Sequence, residues 1–96
     1  MVNGDAQQAD ILAAIREILA SCDDFRPRIR PSDIAAGHHL VEDLGIDSVA
    51  LLDLATGLEA RFGLAVDESE LARLATVGAV AATLDGRLAS RRKPGS

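Results

Sequence analysis

Gly45-Ile46-Asp47-Ser48-Val49-Ala50-Leu51-Leu52 sets one serine at the point where a glycine-containing loop gives way to a strongly apolar helical run. Asp47 suits a helix N-cap, because its carboxylate accepts from backbone N–H groups of the first turn. Ser48 is then the first helical residue, beside unsatisfied amides and the positive end of the helix dipole. A phosphate ester there would sit in a favourable field. Reading on from Ser48, Leu51, Leu54, Ala55, Leu58 and Phe62 fall at i, i+3, i+4, i+7 and i+11, so a helix should run to about Phe62 and end at Gly63. Val49 and Leu52 lie to one side of that stripe. Gly57 weakens helix propensity by roughly 1 kcal/mol relative to Ala, which suggests close approach by a neighbour.

The same periodicity appears on both sides. Upstream, Ile11, Ile15, Ile18, Leu19 and Cys22 form one stripe of a helix from about Gln8 to Ser21, with Arg16 and Glu17 off it. Downstream, Asp67-Glu68-Ser69-Glu70 resembles a capping box and announces a short third helix with Leu71 and Leu74 facing inward. Thr76 caps a fourth helix from about Val77 to Leu88, with Val77, Val80, Ala81, Leu84 and Leu88 as its stripe. Between the first two helices, Cys22 to Asp47 is a long connection broken by Pro27, Pro31 and Gly37. It should contain a turn or short helix near Pro31–Ala36. Leu40, Val41, Leu44 and Ile46 are expected to pin its later part to the core. No stretch alternates with period two. The expected fold is therefore all-α, a small four-helix bundle spanning residues 8–88, with polar tails at 1–7 and 89–96.

Ninety-six residues suit one domain, and with 48% apolar residues the chain should fold. Phe25 and Phe62 are the only aromatics, so Ala, Leu, Val and Ile must build a closely packed core. Charge is uneven: net −2 over residues 1–39, −6 over 40–75 and +3 over 76–96. The acidic middle would repel nucleic-acid phosphate and attract basic partner surfaces. Cys22 is the only cysteine, which precludes an intramolecular disulfide and fits a reducing cytoplasm. No apolar run approaches membrane-spanning length, and the first residues lack the regions of a signal peptide.

Chemistry by the chain's own side chains finds little support. Ser48 is not in Gly-x-Ser-x-Gly, and it follows a loop instead of a strand. His38 and His39, the only imidazoles, lie ten and nine residues upstream and read as solvated loop residues. They point in different directions, and no Cys or further His completes a metal shell. Asp43 to Leu54 has the length of an EF-hand loop but lacks its sixth-position Gly and twelfth-position Glu.

The run Leu40-Val41-Glu42-Asp43-Leu44-Gly45-Ile46-Asp47-Ser48-Val49 resembles the loop and attachment motif of acyl carrier proteins. Leu58-Glu59-Ala60-Arg61-Phe62-Gly63 is similar to the end of that family's second helix, and Thr76-Val77-Gly78 to the start of its last. The likeness spans roughly residues 8–88. It implies a carrier and not a catalyst, with a 4′-phosphopantetheine arm on Ser48, Asp47 as cap and recognition residue, and acyl groups held as thioesters. It also implies a docking face of Val49, Ala50, Leu52, Asp53, Thr56 and Glu59. The implied partners are a phosphopantetheinyl transferase and acyl-loading enzymes, ketosynthases or acyltransferases, with no nucleic acid and no membrane insertion. A monomer is expected, because the four stripes can satisfy one another. Two departures stand out: Val49 replaces the usual leucine after the serine, and Ala50 and Ala60 stand where acids are common. The first is conservative in volume; the second favours specialised acyl or polyketide assembly over primary fatty-acid synthesis.

Overall fold

The apolar stripes become four α-helices: α1 (Gly4–Ser21), α2 (Ser48–Phe62), α3 (Glu68–Leu74) and α4 (Val77–Arg91). The computed structural model describes residues 4–23 and 25–91. Among the described residues no strand forms, and the sole β feature is an isolated bridge between His39 and Thr76. α1 packs on both α2 and α4, and α3 closes the gap between α2 and α4. The stripe residues Ile11, Ile15, Leu19, Leu54, Leu58, Val77, Val80 and Leu84 are all essentially inaccessible to solvent. Phe62 and Leu88, at the ends of their stripes, are only partly buried.

Two boundaries differ from expectation. α1 begins at Gly4 and not at Gln8, so most of the expected polar tail of residues 1–7 is helical. Gln7 is held there because its side-chain amide donates to the Asp85 carbonyl of α4 at 3.2 Å. α4 continues past Leu88 to Arg91, which leaves residues 92–96 of the expected C-terminal tail outside the described residues.

At Gly57, α2 lies directly against Ile18 of α1. A β-carbon there would lie 2.8 Å from Ile18 Cδ1 and 2.9 Å from its Cγ1. Gly57→Ala should therefore lose its propensity gain of about 1 kcal/mol to overpacking of about 1–3 kcal/mol. The expected result is a net loss of about 1 kcal/mol in urea unfolding. In an Ile18→Ala background, where the opposing atoms are gone, the same substitution should stabilise by about 1 kcal/mol.

The short helix α3 departs from a capping box. Asp67 does cap it, accepting from Ser69 N–H at 3.2 Å. Glu70 does not reach back; its carboxylate instead accepts from the Arg87 guanidinium of α4, one contact being 3.0 Å. These hydrogen bonds hold the Glu70 carboxyl below the usual glutamate range, against the opposing effect of burial. The sign follows from linkage: a lowered folded value gives stability that is present at neutral pH and disappears as pH falls through that value. Glu70→Gln should cost about 1 kcal/mol at pH 7, the pair being partly exposed. Thermal melts across pH should show the gap between variant and parent closing below the ordinary glutamate range.

Candidate functional site

The corner that presents Ser48 is built by the long connection, which is tied down along most of its length. Pro31–Asp33 forms a single 3-10 turn, and Ile34 just after it is fully buried. Arg16, on the flank of α1, donates two hydrogen bonds to the Ile34 carbonyl, at 2.9 and 2.8 Å. The first amides of α4 also serve the loop: Val77 N–H donates to His38 O at 3.0 Å and Gly78 N–H to Ala36 O at 2.8 Å. Leu40 N–H donates to Ala75 O at 2.7 Å. Loop carbonyls thus satisfy helix-terminal donors that would otherwise be orphaned.

From His39 to Gly45 the chain makes one helical turn, with Leu44 N–H bonded to His39 O and Gly45 N–H to Val41 O. His39 acts as its cap. Its Nδ1 accepts from Val41 and Glu42 N–H at 3.2 and 3.1 Å, while Asp43 accepts from His39 N–H at 2.7 Å. His38 Nδ1 accepts from Ala35 N–H at 2.9 Å. Both imidazoles are half-buried turn fasteners, not the solvated residues expected. Leu40, Leu44 and Ile46 are buried as expected, but Val41 is not; it is 45% exposed. Gly45 turns the chain with φ +75°, a conformation open to a residue without a β-carbon.

Asp47 then starts α2 in an extended conformation, its carboxylate accepting from Ala50 N–H at 2.8 Å. Ser48 is the first helical residue and is exposed. Its hydroxyl has no hydrogen-bond partner among the described residues. A primary alcohol so placed is open to esterification, and a phosphate on it would lie beside the free amides of the first turn. The residues fit a phosphate-linked prosthetic group.

Val49 and Leu52 are 59% and 51% exposed, and Asp53 and Thr56 also face solvent. At i, i+3, i+4 and i+7 these four share the outer face of α2. Two residues of the expected docking face depart from it. Ala50 is wholly buried, because its spacing to Leu54 and Leu58 places it on the core side. It therefore presents no docking surface, and the thinning of surface acids rests on exposed Ala60 alone. Glu59 is exposed, yet its Oε2 accepts from Val66 N–H at 2.9 Å, closing the loop between α2 and α3. Val41 was missed as a surface residue. The signal available in sequence was its position inside a single turn, where only Leu40 and Leu44, four apart, can share the inward face.

Among the described residues no three or more His, Cys, Asp or Glu side chains gather as metal ligands, and no helix is long and apolar enough to cross a membrane. Residues 9–84 match the family described as "Phosphopantetheine attachment site". The meromycolate extension acyl carrier protein of Mycolicibacterium aurum is 34% identical over 77 residues, covering 80% of this chain and 75% of that protein. The acyl carrier protein of Thermotoga maritima is 28% identical over 83 residues, covering 86% and 98%. That of Rhodococcus erythropolis is 32% identical over 75 residues, covering 78% of each. Together with the helical bundle and the exposed serine at its second helix, these likenesses place the chain in the acyl carrier protein family, with the phosphopantetheine attachment domain that defines it.

Proposed function

We propose that Ser48 is the residue that takes the 4′-phosphopantetheine arm and that this chain presents acyl thioesters to partner enzymes without turning them over. The observation that carries this reading is the exposed, unpartnered hydroxyl at the first position of α2, behind the Asp47 cap. When bound, the arm supplies the thiol that holds the acyl group. The protein's own part is to fix the corner, keep the alcohol accessible and offer a surface for recognition. Asp47 serves twice, holding the turn and adding negative charge beside the serine. Val49 and Leu52, with Val41 across the corner, supply apolar contact area; Asp53 and Thr56 supply the polar rim. Glu59 contributes its charge while its carboxylate remains tied to Val66 N–H.

The partners on this reading are a phosphopantetheinyl transferase, then acyl-loading enzymes, ketosynthases or acyltransferases in the cytoplasm. The meromycolate extension carrier among the relatives favours specialised lipid assembly, with polyketide assembly as its near alternative. Primary fatty-acid synthesis is the alternative pathway, and an unmodified carrier-like interaction module the alternative from another class. Incubation with coenzyme A and a broad-specificity transferase should give one covalent adduct by intact mass. The mass of the thioester-bound group on protein isolated from its native host then separates the pathways.

A further inference from the structure

The segment Phe25-Arg26-Pro27-Arg28-Ile29-Arg30 alternates residue by residue between partial burial and exposure, and all three arginines are on the exposed side. Phe25 and Ile29 pack against the core. Where this segment turns back along the end of α1 it encloses a hollow of about 450 Å³, floored by Leu19, Phe25 and Pro27 and rimmed by Arg26, Arg28 and Arg30. In a chain of net charge −5, three cations with an apolar floor between them form a site of opposite character to the surface around it. Their charge is little used. Arg26 makes no ion pair among the described residues, and the Arg28 side chain donates one hydrogen bond, to the Glu42 carbonyl at 2.9 Å. Arg30 meets Asp33 at 3.3 Å, where both side chains are largely solvated. Asp23 also lines the hollow, so that Asp23 and the rim-paired Asp33 are acidic neighbours of the three arginines.

The hollow lies close to the proposed attachment point. Arg28 N–H donates to Leu44 O at 3.0 Å, and its side chain runs beside Gly45, where a β-carbon would come 3.0 Å from Nε. Gly45 is three residues from Ser48, a span of at most about 11 Å.

We propose that this hollow binds the anionic far end of a tethered acyl group, so that carboxyl-ended acyl thioesters dock on the carrier itself while methyl-ended ones of similar length do not. The inference rests on Ser48 carrying the arm. Methylenes would lie over Phe25 and Leu19, with the carboxylate among the guanidinium groups, whose planar forks suit it. Each exposed charge pair is weak and screened by salt. Tethering offsets that weakness, because it holds the group at millimolar effective concentration.

The test compares isotope-labelled holo-protein loaded with succinyl or with butyryl groups, each load confirmed by intact mass. Failure to load would count against the Ser48 reading; the amide spectra of loaded protein judge this one. Succinyl loading should shift amides across residues 22–31, and butyryl loading should not. Added salt should remove the shifts. Arg26→Gln with Arg30→Gln should reduce them at least about two-fold while leaving the Arg28–Glu42 contact in place. Equal shifts with both loads, no shifts with either, or indifference to the double variant would overturn the proposal. So would equal shifts from free succinate at the protein's own concentration, since the tether would then contribute nothing.

Discussion

Ser48→Ala is expected to abolish the coenzyme A-dependent adduct completely while leaving the free energy of unfolding within about 0.5 kcal/mol of the parent. Both halves follow from the position of the residue. The hydroxyl is exposed and bonded to no described residue, so its removal leaves no buried group unsatisfied. Alanine is also the better helix former, and the cap belongs to Asp47 and not to the serine. Loss of the adduct would therefore report chemistry and not unfolding. Asp47→Ala makes the contrast. It removes the 2.8 Å hydrogen bond to Ala50 N–H and should cost about 1 kcal/mol, yet Ser48 remains and the adduct should still form, more slowly and with the same mass. Persistence of the adduct in Ser48→Ala would send the attachment to another nucleophile and remove the basis of the proposed function.

How far the sequence anticipated this arrangement depends on whether the information was local. The stripes of α1, α2 and α4 were readable because burial on a helix repeats with its own period. The caps at Asp47, Asp67 and Thr76 were readable because a cap and its amide lie within a few residues of each other, as in the 3.1 Å bond from Ala79 N–H to Thr76 Oγ1. The motif at Ser48 was legible for the same reason. What sequence did not convey was contact between distant segments. Nothing periodic marks Arg16 as the donor to Ile34 O, or the first amides of α4 as donors to the loop. Glu70 has the spacing of a capping box, but Arg87 offers it a charged partner that only packing brings near. Ala50 shows a different failure. Its methyl is compatible with surface or core, so family likeness placed it outward, although its spacing to Leu54 and Leu58 already pointed inward.

A large loss of stability is also expected in that long connection, and not only in the helices. Leu40 is wholly buried; its N–H donates to Ala75 O at 2.7 Å and its carbonyl accepts from Ile46 N–H at 3.1 Å. Ala75 is held at φ 71°, ψ −45°, with Thr76 N–H bonded to Leu74 O at 2.8 Å. That is a γ-turn of the strained kind, which costs about 1–3 kcal/mol and persists only where the surroundings enforce it. Leu40 is part of that enforcement. Leu40→Ala keeps the backbone donors but empties the side-chain site, so it should cost about 2–5 kcal/mol. Against a typical total of about 5–15 kcal/mol, that is a large share. Val41→Ala is the control next door: at 45% exposure it should change stability by no more than about 0.5 kcal/mol. Urea unfolding of the pair reads the difference, and the modification rate of Ser48 reads its consequence. If the turn from His39 to Gly45 sets the corner, modification should slow in Leu40→Ala under conditions where α1, α2 and α4 remain helical by circular dichroism. Equal stability of the two variants would mean that the loop only covers the core, and that the α2 cap alone positions the serine.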